Sequence, residues 1–403
     1  MEDWELPVWA IRPNWSESIS ETLGWMTSVA REESKGAEQR VGWRNVPRRT
    51  VEATYNPIGR ERAFFDLALH TLGKHDWMVP LWFDCARLDA AALSGSSRLS
   101  FDTSGHEFAS GDGMVLLVGE DHFDSVAVRT TGFDATGIDL LAPLDRDWIA
   151  GTRVHPLRRS QMDDVSGGNI TSRVSEFRLR TVNVNGNGQG DAVGTWDQTH
   201  DGDAVLTRRP NWADTINVDL SFLEQRYDGG IGKPYSADTA GRAFRGHSYE
   251  YILAGKAEKW DFRLMLLRLR GQQVPIWTPT FADDIQIAAS AAASATVLQI
   301  EGIGITYLGG PTAGRDRLYL PSGQIVQITD CALLGNGDEQ LTLAEPLDAS
   351  LSPGDTAHFV DIARLGHDDV EIEHLGDSEG AARCTLTFVN FADRRAATSL
   401  VGG

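Results

Sequence analysis

Three cysteines in 403 residues, Cys85, Cys331 and Cys384, are too few and too far apart for a disulfide framework. No CxxC pair or Cys/His cluster accompanies them, so reduced, buried thiols are expected. Long apolar runs are also missing. No stretch approaches the roughly 20 residues that span a bilayer, and the opening MEDWELPVWA has no apolar core of signal-peptide length. Folding in the cytoplasm of the producing cell, without membrane insertion, is the expectation. Positive charge is in deficit: 37 Lys and Arg face 57 Asp and Glu, a net charge of −20. Nucleic-acid binding draws on Lys and Arg against phosphates, so it is disfavoured, and the acidity reads as a contribution to solubility. The chain contains no HExxH, GxxxxGK[ST] or GxSxG. Its ten histidines are scattered, no two within four positions. His70 reads as a packed or surface residue, and His106 and His122 lack a second His at ligand spacing. The Asp pairs 163–164, 283–284 and 368–369 read as strand ends; adjacent residues on a strand point apart and cannot face each other across a cleft. Neither an enzyme nor a metal or cofactor site is expected.

What the sequence does contain is a repeat. RPNWSESISETL (Arg12–Leu23) returns as RPNWADTINVDL (Arg209–Leu220), and further matches follow in the same order. RRTVEATY (Arg48–Tyr55) meets GHSYEYIL (Gly246–Leu253). Alternating Val51, Ala53, Tyr55 and Tyr249, Tyr251, Leu253 predict half-buried strands. ERAFFDLALHTLG then faces EKWDFRLMLLRLRG. Phe65, Leu69, Leu72 and Trp260, Leu264, Leu267 each fall at i, i+4, i+7, which predicts two helices ending at Gly73 and Gly271. VPLW (Val79–Trp82) matches VPIW (Val274–Trp277), and PLDRDWIAGT matches PLDASLSPGD. The displacement is 197 at Trp15/Trp212, 195 at Trp82/Trp277 and 203 at Pro143/Pro346, a drift that small loop indels explain.

The expected fold is therefore mainly β: two homologous β-sandwich-like modules, residues 1–200 and 201–403, each with one helix and an inserted small β-barrel. The inserted β units span about 88–157 and 285–363. SEFRLRTVNV and ARCTLTFVNF are expected as return strands, pairing with the VEATY or YEYIL strand of their own copy. Asn185–Asp191 (NGNGQGD) reads as a linker. Its alternate oxygen side chains resemble a calcium loop, without the terminal Glu of the full motif. Ala288–Ala295 (AASAAASA) leaves helix and β unit both open.

Twelve tryptophans are the strongest remaining signal. Arg12, Trp15 and Trp82, with their counterparts Arg209, Trp212 and Trp277, are candidates for module packing or an assembly interface. Trp148 has Leu351 as its counterpart, so the fold does not demand it, and it is the candidate for stacking on a sugar.

Arg12–Trp15, Trp25, Gly36–Arg40 (GAEQR), Pro47–Arg49 (PRR), Glu52, Asp66–His70 (DLALH) and Val79–Trp82 (VPLW) form a string that resembles a family of tail-tip proteins of long-flexible-tailed bacteriophages. The resemblance covers the first copy. The second keeps RPNW and VPIW and lacks an evident GAEQR or PRR. These motifs carry no catalytic meaning. The resemblance implies a minor tail or distal tail protein lying between tail tube and hub in the virion, assembled in the host cytoplasm, with itself and the tube, tape-measure and hub proteins as partners. It further implies sixfold tube rings above a threefold hub, which a homo-trimer of two-module chains would join; a plain hexamer is the rival. The alternative function is a carbohydrate-binding or depolymerase tail protein.

Overall fold

A computed structural model describes residues 5–32, 35–108, 113–184, 194–213 and 215–392. The protein is mainly β, with large antiparallel sheets and two α-helices among the described residues. In chain order, the elements that matter below are β1 (Ile19–Gly24), β2 (Arg48–Tyr55), α1 (Arg60–Leu72), β3 (Asp76–Pro80), β4 (Arg153–Asn169) and β5 (Ser175–Asn183). The second half supplies β6 (Val218–Tyr227), β7 (Tyr235–Ala254), α2 (Gly255–Leu269), β8 (Ile276–Pro279), β9 (Thr356–Leu365), β10 (Asp369–His374) and β11 (Ala381–Asn390).

Hydrogen bonding joins most of these strands into one antiparallel ribbon, in the order β3, β4, β5, β2, β1, β10, β11, β7, β6. β9 pairs with the far end of β11 and carries β8. The alternating apolar residues do bury one face: Val51, Ala53 and Tyr55 on β2, and Tyr249, Tyr251 and Leu253 on β7. Both return strands pair as the pattern predicts, Ala53 opposite Leu179 and Tyr251 opposite Cys384. Phe65 of α1 packs between Trp9 and Phe177, with ring centroids 5.0 and 4.6 Å away. Phe262 of α2 meets Tyr251 at 5.3 Å.

Between β3 and β4, and again between β8 and β9, short strands enclose separate apolar clusters, one around Leu99, Leu117 and Ile138, the other around Leu298, Leu318 and Leu341. The alanine-rich stretch lies in the second. It is extended and turned rather than helical, and Ala291 bridges Leu351. Position in the β unit overrides the helix propensity of alanine.

The buried face of α2 differs from the sequence reading. Phe262, Leu266 and Leu269 are fully buried and Leu267 of the expected face is buried beside them, while Trp260 and Leu264 are half-buried. Residues 262, 266 and 269 correspond to Phe65, Leu69 and Leu72 at a displacement of 197, the same as RPNW. The i, i+4, i+7 pattern fits both sets because α2 carries apolar residues on more than one face. The helix ends also differ. Arg270 and Gly271 both take left-handed geometry after α2, whereas Gly73 keeps right-handed geometry. We predict that Leu266→Ala costs about 2–5 kcal/mol and Leu264→Ala no more than about 1.5 kcal/mol. Urea unfolding of both variants checks this; equal losses would contradict the assigned face.

Candidate functional site

The two halves meet along a strand edge. Hydrogen bonds run between β1 and β10 with Ile19 opposite His374, Glu21 opposite Ile372 and Leu23 opposite Val370. Leu23 and Trp25 extend the apolar cluster of the C-terminal half. Immediately after β1, the hairpin Thr27–Arg31/Glu38–Gly42 folds over that half. Arg31 stacks on Phe244 at 4.2 Å and Arg40 on Phe391 at 4.4 Å. Glu38, whose side chain is wholly buried, takes Arg364 in a two-pronged pair at 2.7 and 3.1 Å. Asp368 accepts from the backbone and hydroxyl of Thr27. The GAEQR segment is therefore a clasp.

Behind this edge lies a buried charge network. β1 reads Ile19-x-Glu21-x-Leu23, so Glu21 points into the apolar side and is wholly inaccessible. An isolated carboxylate there would be prohibitive. Arg263 of α2 meets it with two bonds, at 2.7 and 2.6 Å, Arg49 of β2 lies at 2.8 Å, and His374 Nε2 at 2.9 Å. Arg49 and Arg263 also reach Glu107, at 2.7 and 2.5 Å, and Arg158 donates to the Glu107 carbonyl. Asp84 accepts the Glu107 amide at 2.7 Å and faces His106 Nδ1 at 2.5 Å. Phe83 stacks flat on His374, with centroids 4.1 Å apart. Three carboxylates thus face three guanidiniums drawn from both halves. Burial alone would raise the Glu21 carboxyl; Arg263 and Arg49 reverse this and hold it well below the usual range. Asp84 is likewise lowered, against its burial, by His106. Burial lowers His374, against the pull of Glu21. Glu21 and Asp84 are held ionised and fully engaged. That suits a lock between halves and leaves no poised proton acceptor among Glu21 and Asp84.

The repeated RPNW is a turn. Asn14 Oδ1 accepts the Ser16 amide at 3.1 Å and Asn211 Oδ1 the Ala213 amide at 3.0 Å. The same two asparagines donate their backbone N–H to Thr54 and Glu250, the carbonyls of β2 and β7. Trp82 and Trp277 are buried, and Trp277 Nε1 donates to the His200 carbonyl at 2.9 Å. Trp15 packs partly buried on the N-terminal core, whereas Trp212 is 53% exposed. Arg12 and Arg209 are exposed, and Arg12 donates to the Gly119 carbonyl. Arg12, Trp15 and Trp82 line a cleft shared with His155 and Asp377; the second-copy trio is spread between surface and core. Trp148 does not fit the sugar-stacking expectation. It is 6% exposed, its backbone bridges Ala92, and Arg146 covers its ring at 4.2 Å. Its side chain is buried in the cluster around Leu99, and Leu351 in the separate cluster around Leu318. The Asn185–Asp191 calcium-like run lies outside the described residues. Among those described, no group of three or more His, Cys, Asp or Glu is placed to hold a metal ion, and no helix is long and apolar enough to cross a membrane.

The charge network escaped the sequence reading. Its signals were an acid on the apolar face of β1, an arginine inside the apolar run of α2, and Arg49 within PRR. Compared with known proteins, the chain matches no family model and no curated protein.

Two outcomes follow. Arg263→Ala leaves Glu21 and Glu107 short of a counter-charge and should cost about 3–5 kcal/mol; denaturant titration reads it, and a loss under 1 kcal/mol would remove the network from its role. The pH response has a defined sign. Burial lowers His155 to about 4 and His247 to about 3, so between the ordinary histidine value of 6.5 and those values the unfolded chain binds more protons. Stability falls as pH drops through that window, on the order of 2 kcal/mol per histidine by pH 5. It falls further below about 4.5 as Glu21 and Asp84 gain protons on unfolding. Melting temperatures from pH 8 to pH 4 should decline with acid; a flat profile contradicts the assignment.

Proposed function

We propose that this chain is a structural ring component of the tail tip of a long-flexible-tailed bacteriophage, linking tail tube to hub in the virion, with no catalytic turnover. In this reading it consists of two homologous β-sandwich-like modules, each with one helix and an inserted small barrel. The observation that carries the reading is the junction itself. Two halves with like strand pairing are fused edge to edge and locked by a buried, balanced charge network, which is how a load-transmitting ring segment holds two modules at a fixed angle.

Several correspondences support the duplication. β2 and β5 pair as β7 and β11 do, and β3 and β4 as β8 and β9 do. Both helices are entered through a left-handed glycine, Gly59 and Gly255, whose amides bond Arg173 and Gly380 at 3.0 and 3.3 Å. Ala92 bridges Trp148 where Ala291 bridges Leu351. Barrel closure of the inserts is supported by the bridge of Ile287 to Ile300 in the second and by the Asp89 amide bonding the Ser100 carbonyl in the first.

Three such chains place six like modules around one axis, a near-sixfold face toward the tube, while differences between the modules leave threefold symmetry toward the hub. Native mass measurement of the purified ring and symmetry analysis of tail tips test this. Three chains per ring are expected; six chains would remove the pseudo-sixfold argument, and absence of the protein from particles would overturn the reading.

A further inference from the structure

The segment that follows the first strand is treated differently in the two halves. After β1 it is the clasp Thr27–Gly42, folded onto the C-terminal half. After Ile216–Ser221, the stretch corresponding to β1, it is the rest of the long hairpin β6–β7. Every residue of β6 except Leu223 is exposed. Val218, Leu220 and Phe222 share one face, with Leu220 and Phe222 60% and 58% exposed. This face continues the one on which β1 buries Ile19, Glu21 and Leu23: Val218 lies opposite His247, and His247 alternates with the buried Tyr249 and Tyr251. Among the described residues β6 pairs with β7 alone, so its second edge is open to another strand.

A matching open edge exists in the N-terminal half. β3 covers β4 only from Leu157 to Gln161; beyond that, β5 lines one edge of β4 and no described strand lines the other. The corresponding edge in the C-terminal half belongs to β10, and β1 occupies it. Ile372 faces Cys384 on one side and Glu21 on the other. The hairpin ends match, Asn169 opposite Ser175 as His374 is opposite Ala382, so Gly167 holds the place of Ile372 and Val165 that of Val370. Counted from Asn14 opposite Thr54 and Asn211 opposite Glu250, Val218 opposite His247 holds the place of Glu21 opposite Val51, which puts Leu220 in the place of Leu23.

We propose that β6 and its approach from Ile216 pair antiparallel with the Met162–Asn169 edge of β4 in a second copy of this chain, repeating between chains the β1–β10 junction made within one. The inference rests on the duplication argued above. A copy of the same chain is the occupant because the chain already contains this junction once, in the same sense and on equivalent edges. Where the internal junction sets Glu21 against Ile372 and needs buried counter-ions, the external one sets Val218 against Gly167 and Leu220 against Val165, apolar pairs that need none. The exposed Leu220 and Phe222 then cover the neighbour as the Thr27–Gly42 clasp covers the C-terminal half. Each chain offers one of each edge, so the contact is head-to-tail, the kind of contact that forms a ring when its rotation closes.

The test uses the full chain with Cys331→Ser. Leu220→Cys and Val165→Cys are made singly, mixed and mildly oxidised, alongside native mass measurement of the parent. The proposal expects a parent of several chains, a disulfide-linked two-chain species from the mixture and none from either variant alone. It also expects Phe222→Asp to lose assembly with an unchanged melting temperature. A parent that assembles while the mixture stays unlinked overturns this edge and leaves the ring reading standing. A parent that remains a single chain overturns both. Phe222→Asp assembling like the parent overturns the role of the hairpin.

Discussion

Glu21 is the residue on which the architecture turns. It sits in the middle of β1, between Ile19 and Leu23, on the side of the strand that faces protein. Burying a lone carboxylate would be prohibitive, so the chain must bring cations to it. Two arrive from different halves, Arg49 from the adjacent strand and Arg263 from α2. Meeting that demand fixes β1 between β2 and β10, and with it the relative placement of the halves. Glu107 joins from the first β unit and His374 from the end of β10, so side chains from four elements converge on one point. An apolar junction of similar size could be as stable. It would fix the geometry less sharply, because apolar contacts tolerate sliding where two-pronged guanidinium–carboxylate pairs do not.

Other features follow from the same placement. The clasp Thr27–Gly42 reaches Arg364 and Phe244 only because β1 ends beside β10. The long β4 of the N-terminal half does the work divided between β9 and β10 in the other, and that division leaves β10 free to receive β1. A scaffold fused in this way supports the proposed work of a ring segment: holding shape and presenting edges.

The fold was largely legible in the sequence because its strongest signals are local. Alternation at Val51–Tyr55 and Tyr249–Leu253, and 3.6-residue periodicity in the two helices, report on neighbours along the chain. The phase of α2 was misread because Trp260, Leu264 and Leu267 are also apolar at helical spacing, and burial of Phe262, Leu266 and Leu269 is decided by tertiary packing. RPNW was visible as a repeat, but its meaning, an Asn-capped turn feeding the edge of β2 or β7, depends on partners about 40 residues away. The charge network was hidden for the same reason. Glu21, Arg49, Glu107, Arg263 and His374 span most of the chain, and no spacing rule links them. Trp148 looked dispensable to the fold because its counterpart in the repeat is leucine; both side chains are buried, each in its own apolar cluster.

The central claim is that β1 and β10 form a junction as stable as either core, so that the halves never part in the native protein. Native-state hydrogen exchange measures this directly. The account predicts that amides across β1 and β10 exchange only with global unfolding, at the same free energy as those of α1 and α2. Exchange of the junction through a lower-energy opening, with both helices still protected, would contradict it.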